Sequence, residues 1–204
     1  TPEQVAQCVD SIGVGFMFAP NHHSAMKHAA PVRRELGVRT LFNLLGPLTN
    51  PAGAQNQVIG VFHQSLTVKL AQVLGELGSR HVLVVHGADG MDEISISEGT
   101  YVAELKDGKV SEYTIHPDLF RIASSPIGML RAANADEACE KLLGVLNNEA
   151  GAARDIVQLN AGAAIYVAGL ANTFNEGVKK ADQVIASGAA KTKLDQLIAL
   201  SNSF

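Results

Sequence analysis

Val58-Ile59-Gly60-Val61-Phe62, then Leu66 to Leu77, then His81-Val82-Leu83-Val84-Val85 is the stretch that decides the fold. The outer runs are short, apolar and β-branched, as strands are, and the middle run reads as a helix that Gly78 stops. Strand, helix, strand with short connections is the pattern of a right-handed parallel crossover. Val82 to Val85 is apolar without alternation, which predicts a strand covered on both faces. Beyond it the periodicity changes to two. Tyr101–Leu105 and Val110–Thr114 flank Lys106-Asp107-Gly108-Lys109, a hairpin with an Asp-Gly turn. The C-terminal third is helical, with apolar spacings of three and four over Asp136–Leu146, Ala150–Ala171 and Phe174–Ser187, and a last helix over Lys191–Leu200. Within it, Ala161-Gly162-Ala163-Ala164-Ile165 is small enough to let another element come close.

On the N-terminal side, Thr1-Pro2-Glu3 reads as a helix start, and Gly13 follows Val5, Cys8, Val9 and Ile12 as its stop. Val14 to Phe18 is expected to be a short buried strand. Ser24 opens a helical stretch that Pro31 interrupts and Gly37 closes. Residues 40–57 are irregular, with Gly46, Pro47, Asn50, Pro51 and Gly53, yet they hold Leu41, Phe42, Leu44, Leu45 and Leu48. So apolar a loop is expected to be packed, and packed loops are over-represented at functional sites. The expected fold is α/β, a mostly parallel central sheet flanked by helices with a β-hairpin insertion, in one domain over 1–204.

Composition bounds the function. With 204 residues, 47% of them hydrophobic and 18% charged, the chain buries a sizeable core and is not a disordered tail. It has no unbroken apolar run of membrane-spanning length. A net charge of -4 argues against a general nucleic-acid binder. Two cysteines, Cys8 and Cys139, are too few for a disulfide scaffold and fit a reducing cytoplasm, where we expect the protein to reside.

The richest chemistry follows the strand that ends at Val85, in Gly87-Ala88-Asp89-Gly90-Met91-Asp92-Glu93. Ligands of open α/β sheets bind beyond the carboxyl ends of the strands. Adjacent carboxylates on a glycine-rich loop there present hard oxygens to Mg²⁺; read alone, the same pair is also a solvated acidic turn. No G-x-G-x-x-G opens a helix, so a dinucleotide-binding loop is excluded. Arg33, Arg34 and Arg39 offer forks for a carboxylate or phosphate, and taken singly each is also a plain surface charge. His22, His23 and His28 cluster but lack the spacing and thiolates of a zinc site. Ser95, Ser97 and Ser124-Ser125 lack the setting of a nucleophile elbow.

A larger pattern joins these pieces. Phe18-Ala19-Pro20, His23, Ala25-Met26-Lys27, Pro31-Val32-Arg33, Leu36-Gly37, Arg39-Thr40, Phe42-Asn43 and Leu45-Gly46-Pro47-Leu48-Thr49-Asn50-Pro51-Ala52 resemble the anthranilate phosphoribosyltransferases, as do Asp92-Glu93 and Asp155 to Asn160 with Tyr166-Val167-Ala168-Gly169. The resemblance implies a nucleoside phosphorylase/phosphoribosyltransferase C-terminal domain. It implies transfer of the phosphoribosyl group from phosphoribosyl pyrophosphate to the amine of anthranilate, in tryptophan biosynthesis. By the same resemblance, Arg33 contacts the anthranilate carboxylate, His23 lines its channel, and Gly46 with Pro47 walls it. Asp92 and Glu93 hold Mg²⁺ on the pyrophosphate. No nucleic-acid or membrane partner is implied.

Three features expected of that family are not in this sequence: its glycine-rich phosphate loop, its Asn-Ser-Thr segment and its Lys-His-Gly-Asn-Arg stretch. The chain starts at Thr1, so we expect the C-terminal part of a longer enzyme, truncated on its N-terminal side and lacking the small helical domain that forms the family's dimer contact. The full-length protein is then expected to be a homodimer, and the piece a monomer with little or no activity. A local departure occurs at Leu119-Phe120-Arg121, where the family often reads Asp-Phe-Gly. Pyrimidine nucleoside phosphorylases share the Ala-Pro…His…Ala-Met-Lys stretch and stand as the alternative enzyme. A non-catalytic nucleic-acid-binding relative is the alternative outside catalysis.

Overall fold

The computed structural model describes residues 1–22, 35, 46 and 48–204, which form two compact units, 54–190 and 1–53 with 191–204. Helices α1 (Pro2–Ile12), α2 (Ala19–His22), α3 (Thr67–Glu76), α4 (Ala135–Leu146), α5 (Ala152–Val167), α6 (Phe174–Ala186) and α7 (Ala189–Ser201) accompany strands β1 (Asn56–Gly60), β2 (His81–Gly87), β3 (Thr100–Lys106) and β4 (Lys109–Ile115).

In the 54–190 unit the strands form one sheet in the order β1-β2-β3-β4. β1 runs parallel to β2, with Val58 opposite Leu83, through the crossover helix α3. The β2–β3 and β3–β4 pairings are antiparallel. Among the described residues the sheet is therefore mixed, where a mostly parallel one was expected. The hairpin is the reason. Asp107 and Gly108 have φ of 51° and 73°, a two-residue turn whose twist suits its strands, and the hairpin extends the sheet at β2 instead of standing outside it.

Both faces of β2 are covered, as its unbroken apolar run predicts: Val82, Leu83, Val84 and Val85 are each 0% exposed. Helix α3 packs on β2 and β3 and carries buried Leu70, Ala71 and Leu74. On the other face Leu83, Val85 and Val102 form one cluster with Leu159, Ala163 and Val167 of α5 and Val178 of α6. The small residues of α5 allow a close crossing, since a Cβ on Gly162 would stand 2.6 Å from the Val178 Cα.

One charged side chain lies in this second interface. Glu104 is 9% exposed and accepts hydrogen bonds from Tyr166 Oη at 2.7 Å, His81 Nε2 at 2.8 Å and Tyr113 Oη at 2.9 Å. Burial pushes its pKa up, but the bonds from Tyr166, His81 and Tyr113 outweigh burial and leave the carboxyl below its ordinary value. Burial, then the neighbouring Glu104 charge, raises Tyr113. Lys106 Nζ donates to Tyr166 Oη at 3.2 Å and lies over its ring.

Arg121 follows a short 3₁₀ turn, Pro117–Phe120, and adopts φ 61°. A glycine at this point, as in the resembled family, takes that conformation without a Cβ penalty, whereas arginine bears a cost of about 1 kcal/mol. The departure at Leu119-Phe120-Arg121 is thus confined to one strained residue, and Phe120 still packs on Phe174.

In the other unit, Thr1 caps α1 as read: the Gln4 amide donates to Thr1 Oγ1 and the terminal amine to Gln4 Oε1. Gly13 ends the helix and Cys8 is its buried residue. Lys193 of α7 donates to the Ile12 carbonyl at 2.6 Å. Val14–Phe18 is not a strand. It pairs with nothing in a sheet among the described residues, and Phe16 is 74% exposed, so its apolar composition does not supply the partner a strand requires. The helical stretch from Ser24 with its break at Pro31, and the loop residues 40–45, lie outside the described residues. No described helix is long and apolar enough to cross a membrane.

Replacing Glu104 by Gln removes the charge that three donors address, and we expect a loss of about 1–3 kcal/mol in urea unfolding at pH 7. Because the folded pKa of Glu104 is depressed, its contribution is complete above the unfolded value of 4.5 and fades as pH falls through the folded one. The gap between parent and Glu104→Gln should therefore shrink below that pH. A gap constant with pH would contradict an ionised Glu104.

Candidate functional site

The loop that leaves β2 at Gly87 is built from its own backbone and one carboxylate. The Gly87 amide donates to the Met91 carbonyl and the Gly90 amide to the Gly87 carbonyl, closing a tight turn. Asp89 faces inward. Its Oδ1 accepts from the Met91 amide at 3.1 Å, and its Oδ2 from the Ser95 hydroxyl at 2.6 Å and from the Ser97 hydroxyl. Partial burial works upward on its pKa, but the bonds from Ser95, Ser97 and Met91 prevail and hold it below the usual carboxylate range. Ser95 is itself buried, and its amide donates to Thr100 Oγ1. Ser95 and Ser97, which lacked a nucleophile's setting, thus serve as hydrogen-bond donors to Asp89.

Two further contacts fix the segment that follows. The amide side chain of Asn160, on α5, pairs with the backbone of Ile94: Oδ1 accepts from the Ile94 amide at 3.0 Å and Nδ2 donates to the Ile94 carbonyl at 3.0 Å. At the end of β1, the Asp92 carbonyl lies so close to Gly60 that a Cβ there would stand 1.5 Å from its oxygen. No side chain but glycine's leaves that room.

The outcome is an exposed pair, Asp92 and Glu93, beyond the carboxyl end of β2. Neither carboxylate receives a hydrogen bond or ion pair from any described residue. Glu93 is open to solvent at its surface, yet the protein around its carboxyl displaces part of the bulk water, and with the like charge of Asp92 this raises its pKa. Two adjacent carboxylates that no described residue bonds, and that repel each other, suit a hard divalent cation. Among the described residues no three His, Cys, Asp or Glu side chains converge as a closed cage. Mg²⁺ is commonly held by one or two carboxylates with waters and substrate phosphates, so the donor set fits it.

The other candidates fall elsewhere. Gly46 is half-buried in the 1–53 unit, where its carbonyl accepts from the Thr49 amide and hydroxyl. His23, Arg33 and Pro47 lie outside the described residues. Asp92 and Glu93 are thus the only two predicted site residues that the described structure brings together.

With that geometry in place, comparison places the chain among known proteins. The profile described as the glycosyl transferase family, a/b domain, matches residues 1–191. The chain belongs to this family. Within the glycosyl transferase family it is 61% identical over 203 residues to the anthranilate phosphoribosyltransferase of Methylobacillus flagellatus, covering 100% of this chain and 60% of that protein. The crystal structure of anthranilate phosphoribosyltransferase from Thermus thermophilus superposes with a TM-score of 0.91 at 40% identity, over 98% of this chain and 59% of that one. The Saccharomyces cerevisiae enzyme, solved in complex with PRPP and Mg, shares the fold with a TM-score of 0.89 at 24% identity, over 99% of this chain and 58% of that one. The chain spans about 60% of the length of the curated relatives it matches.

Sequence reasoning singled out the carboxylate pair but not what holds it. Gly60, inside a β-branched run, was the available signal of a close backbone approach. Asp89 was hidden by its more conspicuous neighbours, and Asn160 lies 66 residues from its partner Ile94. We expect Gly60→Ala to cost about 2–3 kcal/mol in urea unfolding, because the Asp92 carbonyl must move. Gly75→Ala, which adds a Cβ 3.3 Å from the Leu105 side chain, is expected to be neutral or stabilising. Equal losses at the two positions would show that the close approach at Gly60 is not what costs.

Proposed function

We propose that the chain belongs to an enzyme that transfers the phosphoribosyl group of phosphoribosyl pyrophosphate to the amine of anthranilate, releasing pyrophosphate. The observation that carries this is the Asp92–Glu93 pair, which no described residue bonds, at the carboxyl end of β2 on a loop braced by Asp89, Ser95 and Asn160. The 61% identity to a protein of that name supports it. So do the residues matching the family's anthranilate-binding stretch. On this reading the protein serves tryptophan biosynthesis.

In the mechanism the charge that develops is on the departing pyrophosphate. Bound Mg²⁺ supplies neutralisation of that charge. Asp92 and Glu93 would hold it, and the burial and like charge that raise Glu93 would be offset there by the cation's positive charge. By the family resemblance, Arg33 would orient anthranilate through its carboxylate, and His23, Gly46 and Pro47 would shape the channel. Anthranilate's aromatic amine is neutral at pH 7, so the attack on C1 of the ribose requires no strong base. Proton loss follows bond formation. Rate enhancement then comes from orientation and from charge stabilisation at the leaving group.

The test is a set of single variants in a protein of the relatives' length, assayed for phosphoribosylanthranilate. Arg33→Ala should raise the KM for anthranilate by about tenfold or more with a smaller effect on kcat, the loss of a charge-assisted bidentate contact being about 1.5–3 kcal/mol. Asp92→Ala and Glu93→Ala should raise the Mg²⁺ concentration needed for half-maximal rate and slow turnover. Carboxylate variants that titrate with Mg²⁺ like the parent would overturn the metal assignment. Turnover of thymidine and phosphate in place of anthranilate would overturn the substrate.

A further inference from the structure

We propose that Asn160 is the positioning residue of the Asp92–Glu93 pair, coupling helix α5 to the loop that presents the two carboxylates. The inference rests on the functional reading above and names a residue through which that site is set.

Every hydrogen-bonding group of the Asn160 amide has an assignment. Oδ1 accepts from the Ile94 amide, and Nδ2 donates to the Ile94 carbonyl and to the Ile156 carbonyl one turn back on α5, each at 3.0 Å. Reversing the amide would set its oxygen against two carbonyls and its NH₂ against an N–H, so the network itself fixes the orientation. The side chain thereby imitates a strand neighbour for one residue. Ile94 is 2% exposed and has no β-partner, so the side chain of Asn160 satisfies a buried peptide group that is costly to leave unpaired. Asparagine is a poor residue for a helix interior, and position 160 lies in the middle of α5. The compensation is at Ile94.

Ile94 adjoins Glu93. The backbone carrying the two carboxylates is therefore held at Gly60 behind Asp92, at Asn160 beside Ile94, and by Asp89 through Met91, Ser95 and Ser97. Of these three holds, only Asn160 is a side chain from outside the loop that bonds the chain next to the pair. Helix α5 packs on β1 and β2, so this bond ties the carboxylates to the core of the sheet. Residues that orient a metal's carboxylate ligands typically change affinity or activity about 10–100-fold when removed.

The experiment uses a protein of the relatives' length carrying Asn160→Ala or Asn160→Asp, with the parent and Asp92→Ala beside them. Without metal, amide hydrogen exchange at Ile94 should quicken about tenfold or more in Asn160→Ala, while the Val84 amide in the core of β2 keeps its parental rate. In the assay the same variant should require about tenfold more Mg²⁺ for half-maximal rate and keep its anthranilate KM within about twofold. Asn160→Asp keeps the acceptor for the Ile94 amide and loses the donors, so it should fall between the two, and it carries the test if Asn160→Ala does not fold. A lower melting temperature with parental Mg²⁺ dependence, or parental exchange at Ile94, would reduce Asn160 to a structural residue and overturn the proposal. If Asp92→Ala itself titrates like the parent, the metal reading has failed, and the positioning role falls with it whatever Asn160 does.

Discussion

Burial of β2 on both faces is the constraint from which the rest of the 54–190 unit follows. Four consecutive side chains without solvent exposure demand a helix on each side, and α3 and α5 supply them. Removing so much apolar surface from water contributes about 1.5–3 kcal/mol for each large side chain, and the four act together. It also packs β2 into the core as far as Val85, two residues before its end. A loop that begins at Gly87 therefore starts from a defined point and direction, which a functional loop requires.

The two ends of the sheet use polar groups in opposite ways. At the start of β2, His81, Tyr113 and Tyr166 converge on Glu104 and satisfy it, so a buried charge becomes part of the core. At the other end, Asp89 is satisfied in the same manner by Ser95 and Ser97, while Asp92 and Glu93 have no partner among the described residues. Carboxylates of one kind are structural where donors surround them and available for ligands where none do. Neighbouring donors outweigh burial at Glu104 and Asp89 and move them down in pKa, whereas burial and the like charge of Asp92 raise Glu93.

Much of the fold was legible because its signals are local. The Asp-Gly turn specifies a hairpin, Thr1-Pro2-Glu3 specifies a helix start, and Gly162 among alanines marks a close helix crossing. Val14–Phe18 shows the limit of such signals. An apolar run has the composition of a strand, but pairing is a property of a neighbour, and none is found among the described residues. The sheet's mixed character escaped for the same reason: the hairpin is visible in sequence, whereas its attachment to β2 is a long-range contact.

From sequence alone came the carboxylate pair, the position of its loop after a buried strand, and a pattern of residues shared with phosphoribosyltransferases, because the chemistry is carried by residue types at short spacing. Only the tertiary structure decided which of the acids the described residues leave unbonded. Asp89, Asp92 and Glu93 are equivalent in composition, and they differ because Ser95 and Ser97 turn back onto the first and nothing described reaches the other two. Likewise the tether at Asn160 and the clearance at Gly60 join segments 66 and 32 residues apart in the chain, distances over which local spacing carries no information and packing alone determines what meets.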